Sequence, residues 1–363
     1  MTLCRRFLIL GASLLATVPL LRAQVTNTVA SDPVGIFSIT LPSNSDTRIS
    51  LPLTRPKLYQ GLVSSLTNFT VTVSGSPGWS AGDFTTTPCY LQVLSGSMNG
   101  MLFDIASNTS NSITLVNNGL APTGLLPSVM FKVVPYWTLG TLFPPADQGK
   151  SFTASSNALG LNTRTQVLFP NRAGTGINRA SILICYFNAS NQHWNSVSSG
   201  TNNVDATPIL PDSYITVRNP ATAASGTLTL MGGVDTGAMA IQLDSLTNTA
   251  QDNMVSTGRP VDIALTNLGI LNGSFTPSAS TLGLQTRDQL MSYSNTPGVM
   301  NAAATSIYYY LSNSTTQGWR SAATGTNDVG GNLIPAGSAI LIRRATNSSA
   351  VTLFWTNSIS IPQ

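Results

Sequence analysis

The chain has 363 residues with 17 basic and 13 acidic side chains, and only 8% of it is charged. Every acidic residue is an aspartate, and the only lysines are Lys57, Lys132 and Lys150. This balance excludes the clustered Lys/Arg face that nucleic acid or an anionic membrane surface demands. It also removes the best helix formers while Thr, Ser, Asn, Gly and Val supply strands and turns, so the expected fold class is all-β.

Residues 1–23 combine Arg5 and Arg6, an apolar run from Phe7 to Val18, and Ala23 ahead of Gln24. This pattern reads as a cleaved secretory signal too short for a confident membrane span, and it places the mature chain outside the cell, on its surface or in the periplasm, with no membrane insertion. Removing Arg5, Arg6 and Arg22 leaves the mature chain nearly neutral. Its remaining cysteines, Cys89 and Cys185, can form one disulfide in an oxidising compartment or serve as two small buried hydrophobes.

Gln24–Pro33 is polar and irregular, a leader or an edge strand. GIFSITL at Gly35–Leu41 then alternates, and the text runs on to Arg55-Pro56. A fainter echo follows later, AMAIQL at Ala238–Leu243 and a run ending at Arg259-Pro260. Between Leu58 and Pro135 the segments FTVTVS, YLQVLSG, MLFDIAS, NSITLV and VMFKVVPYW are separated by Gly/Asn/Ser turns, which predicts five short strands curled into a small barrel or compact sandwich. Trp137–Phe152 and Ala264–Phe275 each suit a single helical turn.

The strongest feature is a stretch used twice. SFTASSNALGLNTRTQVLF at Ser151–Phe169 returns as SFTPSASTLGLQTRDQLMS at Ser274–Ser292. Gly176-Ile177-Asn178 matches Val299-Met300-Asn301, Ser181–Phe187 matches Thr305–Leu311, Trp194 matches Trp319, and ITVRN ending at Asn219 matches ILIRR ending at Arg344. Strand candidates recur every eight to fifteen residues, which argues sandwich or barrel units. The domain reading is therefore a signal at 1–23, a first β repeat unit made of 24–57 and 136–233, an inserted small β domain at 58–135, and a second β repeat unit at 234–363. The fold is thus two tandem sandwich- or barrel-like repeat units, the first interrupted by a small barrel-like domain.

Chemistry is sparse. His193 is the single histidine, so a Ser-His-Asp triad or a histidine zinc site would have to pass through it. Asp205 and Asp328 hold comparable places after the two GTN segments and read as turn residues, although two aspartates can serve a glycosidase. No D-x-[DN]-x-[DN]-G calcium loop occurs; Ca²⁺ on one Asp with loop carbonyls is the only cofactor left open. Arg164 and Arg287, Arg218 and Arg343, and Trp194 and Trp319 recur in pairs. They can be sugar-stacking and sugar-bonding groups, or they can do one structural task twice.

SDPVG at Ser31–Gly35, SDT at Ser45–Thr47, PLTRP at Pro52–Pro56, SGSMNG and IASNT in the insert, PYWTLGTLFP at Pro135–Pro144 and GTGIN at Gly174–Asn178 resemble the text of a family of uncharacterised secreted proteins, mostly verrucomicrobial and often in several paralogues. The resemblance implies secretion and this architecture, and brings no activity with it. The functional expectation is a secreted, non-enzymatic structural or adhesive component of the cell surface or extracellular matrix. A carbohydrate-binding module, or an Asp-dependent polysaccharide hydrolase, is the alternative. The expected partners are a surface polysaccharide or the chain itself, joined by strand addition at its N-terminal segment.

Overall fold

The computed structural model describes residues 33–155, 164–281, 287–313, 315–325, 327–347 and 349–358. The signal expected at 1–23 and the leader up to Asp32 lie outside the described residues, as do the middles of the two repeated stretches at 156–163 and 282–286.

The chain is all-β. It opens with β1 (Val34–Leu41) and β2 (Ser45–Ser50), then enters β3 (Tyr59–Thr67), β4 (Thr70–Val73), β5 (Cys89–Val93), β6 (Leu102–Asn108), β7 (Ser112–Leu115) and β8 (Met130–Pro135). These six strands close into a barrel in the order β3-β4-β7-β6-β5-β8. Val71, Leu91, Phe103, Ile113, Phe131 and Val133 fill it. The entry and exit strands are neighbours, with Tyr59 opposite Val133, so the chain leaves where it came in. The reading of five strands is corrected to six. β3 escaped it because a register shift between Val63 and Ser65 breaks its alternation. A short helix at Asp83–Thr86 adds a helical turn inside the barrel segment that the sequence pattern did not suggest.

Past the barrel come β9 (Trp137–Thr138), β10 (Gln166–Phe169), β11 (Leu183–Asn188), β12 (His193–Ser196), β13 (Pro208–Ile209), β14 (Tyr214–Asn219) and β15 (Gly226–Gly233). The remaining strands are β16 (Met239–Ser245), β17 (Gln251–Ser256), β18 (Ile263–Ala264), β19 (Gln289–Ser292), β20 (Ser306–Ser312), β21 (Gln317–Ser321), β22 (Leu333–Ile334), β23 (Ala339–Arg344) and β24 (Val351–Asn357). Helical turns fall at Leu139–Leu142 and Leu265–Asn267; in the first, Thr138 and Thr141 cap each other.

Three pairs of sheets correspond. The five-stranded sheet β12-β11-β10-β14-β2 has its counterpart in β21-β20-β19-β23-β17. The ribbon β1-β15 matches β16-β24, and β9-β13 matches β18-β22. Each set encloses its own apolar core. Ile49, Phe152, Val167, Phe187, Trp194 and Ile215 belong to the first, and Ile241, Phe275, Leu290, Trp319, Ile340 and Trp355 to the second. Among the described residues no helix is long and apolar enough to cross a membrane.

Candidate functional site

The six recurring residues are the sequence's ligand candidates. Trp194 and Trp319 are both fully buried, so neither offers a face to a sugar. Trp194 packs among Phe143, Phe152 and Phe187 and donates its Nε1 hydrogen to the Phe143 carbonyl at 2.9 Å. Trp319 packs against Phe275 and Tyr310. Arg287 is buried with its guanidinium 3.6 Å from the Tyr309 ring centroid, and Arg164 is half-buried. The sugar-stacking reading of the tryptophans is thereby corrected: a large flat ring is the natural filler for a sandwich core.

Arg218 and Arg343 build something else. Asp46 on β2 accepts from Arg218 Nε and Nη2, both at 2.7 Å, and from the backbone N–H of Asn301 at 2.8 Å. Asp252 on β17 accepts from Arg343 Nε at 2.7 Å and Nη2 at 3.1 Å, and from the N–H of Asn178 at 2.7 Å. Arg218 and Arg343 also donate to the side-chain oxygens of Asn301 and Asn178. Each unit therefore holds the other unit's asparagine. Both asparagines sit in left-handed backbone, φ 54° at Asn178 and φ 53° at Asn301, a conformation Asn tolerates better than most residues. The reciprocity continues in Ser50 N–H to Gly337 O at 2.9 Å and Ser256 N–H to Asp212 O at 3.0 Å. This is a pseudo-two-fold clasp of charge-assisted hydrogen bonds. Burial pushes the Asp46 carboxyl upward, but Arg218 and the Asn301 N–H outweigh it and hold the carboxyl below its ordinary value.

Cys89 and Cys185 are both free, and the disulfide alternative is corrected. Cys89 belongs to the barrel core and Cys185 to the first unit's core, so the two thiols are buried in different hydrophobic clusters. Burial pushes each thiol up to about 12, which leaves them as inert hydrophobes. His193 Nδ1 lies 2.6 Å from Asp205 Oδ2, while Asp205 Oδ1 accepts from the N–H of Trp194 at 2.7 Å. The pair ties the loop before β13 to β12. Asp328 similarly accepts from the N–H of Gly330 and lies 3.4 Å from Arg320. Among the described residues no three His, Cys or Asp side chains gather as metal ligands.

One recess of a size to admit a ligand is a cleft of about 700 Å³ where the barrel meets the end of the first ribbon. Gln60, Leu94 and Lys132 supply the barrel wall, Val34 and Met231 the ribbon wall, Arg55 and Lys57 one rim, and Val234 to Gly237 the floor. Two of the three lysines of the chain meet here with an arginine. The volume is within the roughly 300–1,000 Å³ range of small-molecule sites. Gly232 makes the wall possible, because a Cβ there would stand 2.4 Å from the Thr54 carbonyl oxygen. Lys132 Nζ bonds Asp235 Oδ1 at 3.1 Å, and Gln92 donates to Asp235 Oδ2 at 2.7 Å. Burial drives the Asp235 carboxyl up; Lys132, Gln92 and the Gly237 N–H outweigh that and bring it below its ordinary value. Arg55 donates to the Tyr136 carbonyl at 3.3 Å.

Arg55 gains meaning from its counterpart. Arg259, also ahead of a proline, is fully buried and donates to the carbonyls of Asp235, Gly237 and Asn357, plugging the end of the second ribbon. The same step is a structural plug in one unit and a cleft-lining cation in the other. In the sequence alone the two Arg-Pro steps serve only to align the units. Comparison of the chain with known protein families, curated proteins and solved structures returns no match.

Proposed function

We propose that the chain is an exported, non-enzymatic structural or adhesive component of the cell surface or extracellular matrix. The observation that supports this most is the reciprocal clasp. Asp46, Arg218, Asp252 and Arg343, four of the charged groups in a chain that has few, join the two β units. The reading is tested by exporting a tagged chain and washing intact cells with salt and chelator. Retention of the tag on the surface or in the matrix is expected; recovery only inside the cell overturns the proposal.

A second reading, binding of an acidic surface polysaccharide, is favoured by the cleft, where Arg55 and Lys57 stand beside apolar walls and Lys132 is balanced by Asp235. An array of neutral and carboxylated glycans tests it. Binding confined to carboxylated chains and lost in Arg55→Gln/Lys57→Gln supports it, and binding that ignores those substitutions removes it.

A further inference from the structure

Each unit has a two-stranded ribbon, and one outer edge of each can be compared group by group. Aligning Ile39-Thr40-Leu41 with Ile241-Gln242-Leu243 puts Ser38 at the place of Ala240, and Pro42 at that of Asp244. Along β16, the N–H of Ala240 donates to Gly100 O at 2.9 Å, and the N–H of Asp244 donates to Asn253 Oδ1 at 2.7 Å. The first cover comes from the barrel. Gly100 sits at φ 90° in a tight turn, and a Cβ there would stand 3.0 Å from backbone atoms of Ala238 and Ala240. The barrel therefore caps the edge of the second ribbon.

The described residues hold two such ribbons and one barrel. On β15 the N–H groups of Thr227 and Gly233 turn away from β1, toward Lys150 O and Thr54 O. Their partners across the ribbon are Thr40 and Val34. Antiparallel geometry then aims the N–H and C=O groups of Val34, Ile36, Ser38 and Thr40 out of the far edge of β1. The N–H groups of Ile36, Ser38 and Thr40 have no partner among the described residues. Val34 is 75% exposed, Ile36 69%, and Met231 beside Ile36 60%. The strand VGIFSITL carries no charge. An uncharged, exposed, apolar edge is the kind that pairs with another chain unless guarded.

We propose that this edge pairs antiparallel with β1 of a second copy of the chain across a two-fold axis. The register sets Ile36 opposite Ser38 of the second copy and Val34 opposite its Thr40. All four outward residues then form hydrogen-bonded pairs, and a four-stranded sheet runs through the dimer. The parity fits, since 34, 36, 38 and 40 all point outward and their side chains share the exposed face. Pro42 ends the edge, having no N–H to offer. A second copy fits this edge because it brings the same uncharged outward edge and the same apolar Val34, Ile36 and Met231. The inference rests on the reading of a structural component and names its partner.

The test is the concentration dependence of the full chain in sedimentation velocity and light scattering. Ser38→Pro deletes an outward N–H and leaves the backbone ladder to β15 in place; the exposed Ser38 Oγ to Thr229 Oγ1 bond of 3.1 Å is lost in Ser38→Ala as well, so comparing the two isolates the edge. A dimer is expected, weakened roughly ten- to a hundred-fold by Ser38→Pro and kept by Ser38→Ala, with similar melting of all three monomers. The register is checked by mixing chains bearing Ile36→Cys with chains bearing Ser38→Cys. Oxidation should cross-link the mixture faster than either alone, and the buried native cysteines stay out of the reaction. A monomer at every soluble concentration overturns the proposal, whether the edge is empty or takes a different chain, and so does a dimer that Ser38→Pro leaves intact. Because the readout is association in solution, it can fail while surface retention succeeds, and the reverse.

Discussion

Arg55-Pro56 and Arg259-Pro260 occupy the same step in two copies of one design, and their surroundings differ by a barrel. In the second unit the guanidinium is sealed against three carbonyl oxygens at the ribbon's end. In the first unit the chain departs into the barrel just after this step and returns at Tyr136, whose carbonyl Arg55 reaches. The unit with no barrel at this step is the one in which the arginine closes the ribbon's end. Where the barrel adjoins that corner, the arginine lines the cleft instead.

The comparison breaks most sharply at the arginines themselves. Arg259→Ala strands three buried carbonyls and leaves a void, and should cost about 3–5 kcal/mol in a denaturant melt. Arg55→Ala loses one bond near solvent and should cost about 1 kcal/mol or less. Equal losses would show that the two steps do the same work.

The clasp is the symmetric feature, so its halves should respond alike. Asp252→Ala and Asp46→Ala each leave an arginine without its carboxylate and should each cost about 3 kcal/mol. Acid should act in the same place. The Asp46 carboxyl is held below its ordinary value by Arg218 and its neighbours against the pull of burial. Its contribution is full above the unfolded value of about 3.9 and is lost as pH falls through the lower folded value. Melts taken from pH 5 downward should therefore show Asp46→Asn converging on the unmodified chain. A constant gap would remove Asp46 as the acid-sensitive group.

How much of this was legible follows from what repeats. Arg218 with Arg343 and Trp194 with Trp319 stand in long matched stretches and are legible as pairs; the burial of the tryptophans and the carboxylate partners of the arginines explain why both copies keep them. Asp46 and Asp252 were not singled out, since SDT and QDN share little besides the aspartate. Asn178 and Asn301 were seen only as alignment marks. Nothing local says that an Asn in one unit answers a carboxylate in the other. The cleft was illegible for a related reason: Val34, Arg55, Lys132 and Asp235 come from four distant segments that only the closed barrel brings together.

The tryptophans sharpen the comparison at smaller scale. Trp194 Nε1 has the Phe143 carbonyl, whereas Trp319 Nε1 has no hydrogen-bond partner among the described residues. Substitution by Phe leaves a void in either core. Only Trp194→Phe also orphans a carbonyl, so it should cost about 1–2 kcal/mol more than Trp319→Phe. A reversed order in thermal melts would mean that packing around Trp319 outweighs the bond.

The smallest expected effect tests the equivalence of the units most closely. In the first, Thr165 Oγ1 accepts from the N–H of Thr153 at 2.8 Å and donates to Asn219 Oδ1 at 2.7 Å. At the same places in the second, Asp288 accepts from the N–H of Thr276 at 2.8 Å beside Arg344. A neutral pair thus stands where its counterpart is an ion pair. Arg344 Nε lies 2.8 Å from Asp288 Oδ2, yet its N–H is not aimed to make a hydrogen bond. Burial accordingly raises the Asp288 carboxyl above its ordinary value in spite of Arg344 and the N–H groups of Thr276 and Ala345. A raised carboxyl favours the fold below the ordinary value and loses that contribution as pH rises through the folded one. Transplanting the neutral pair, Asp288→Thr with Arg344→Asn, should cost less than about 1 kcal/mol at pH 7, although Arg344→Asn alone should cost about 3 kcal/mol by leaving a buried carboxylate. The double variant should also compare better with the unmodified chain at pH 7 than at pH 3. If the double change costs as much as the single one, the two sockets are not interchangeable. The units would then share strands and clasp but not interior chemistry.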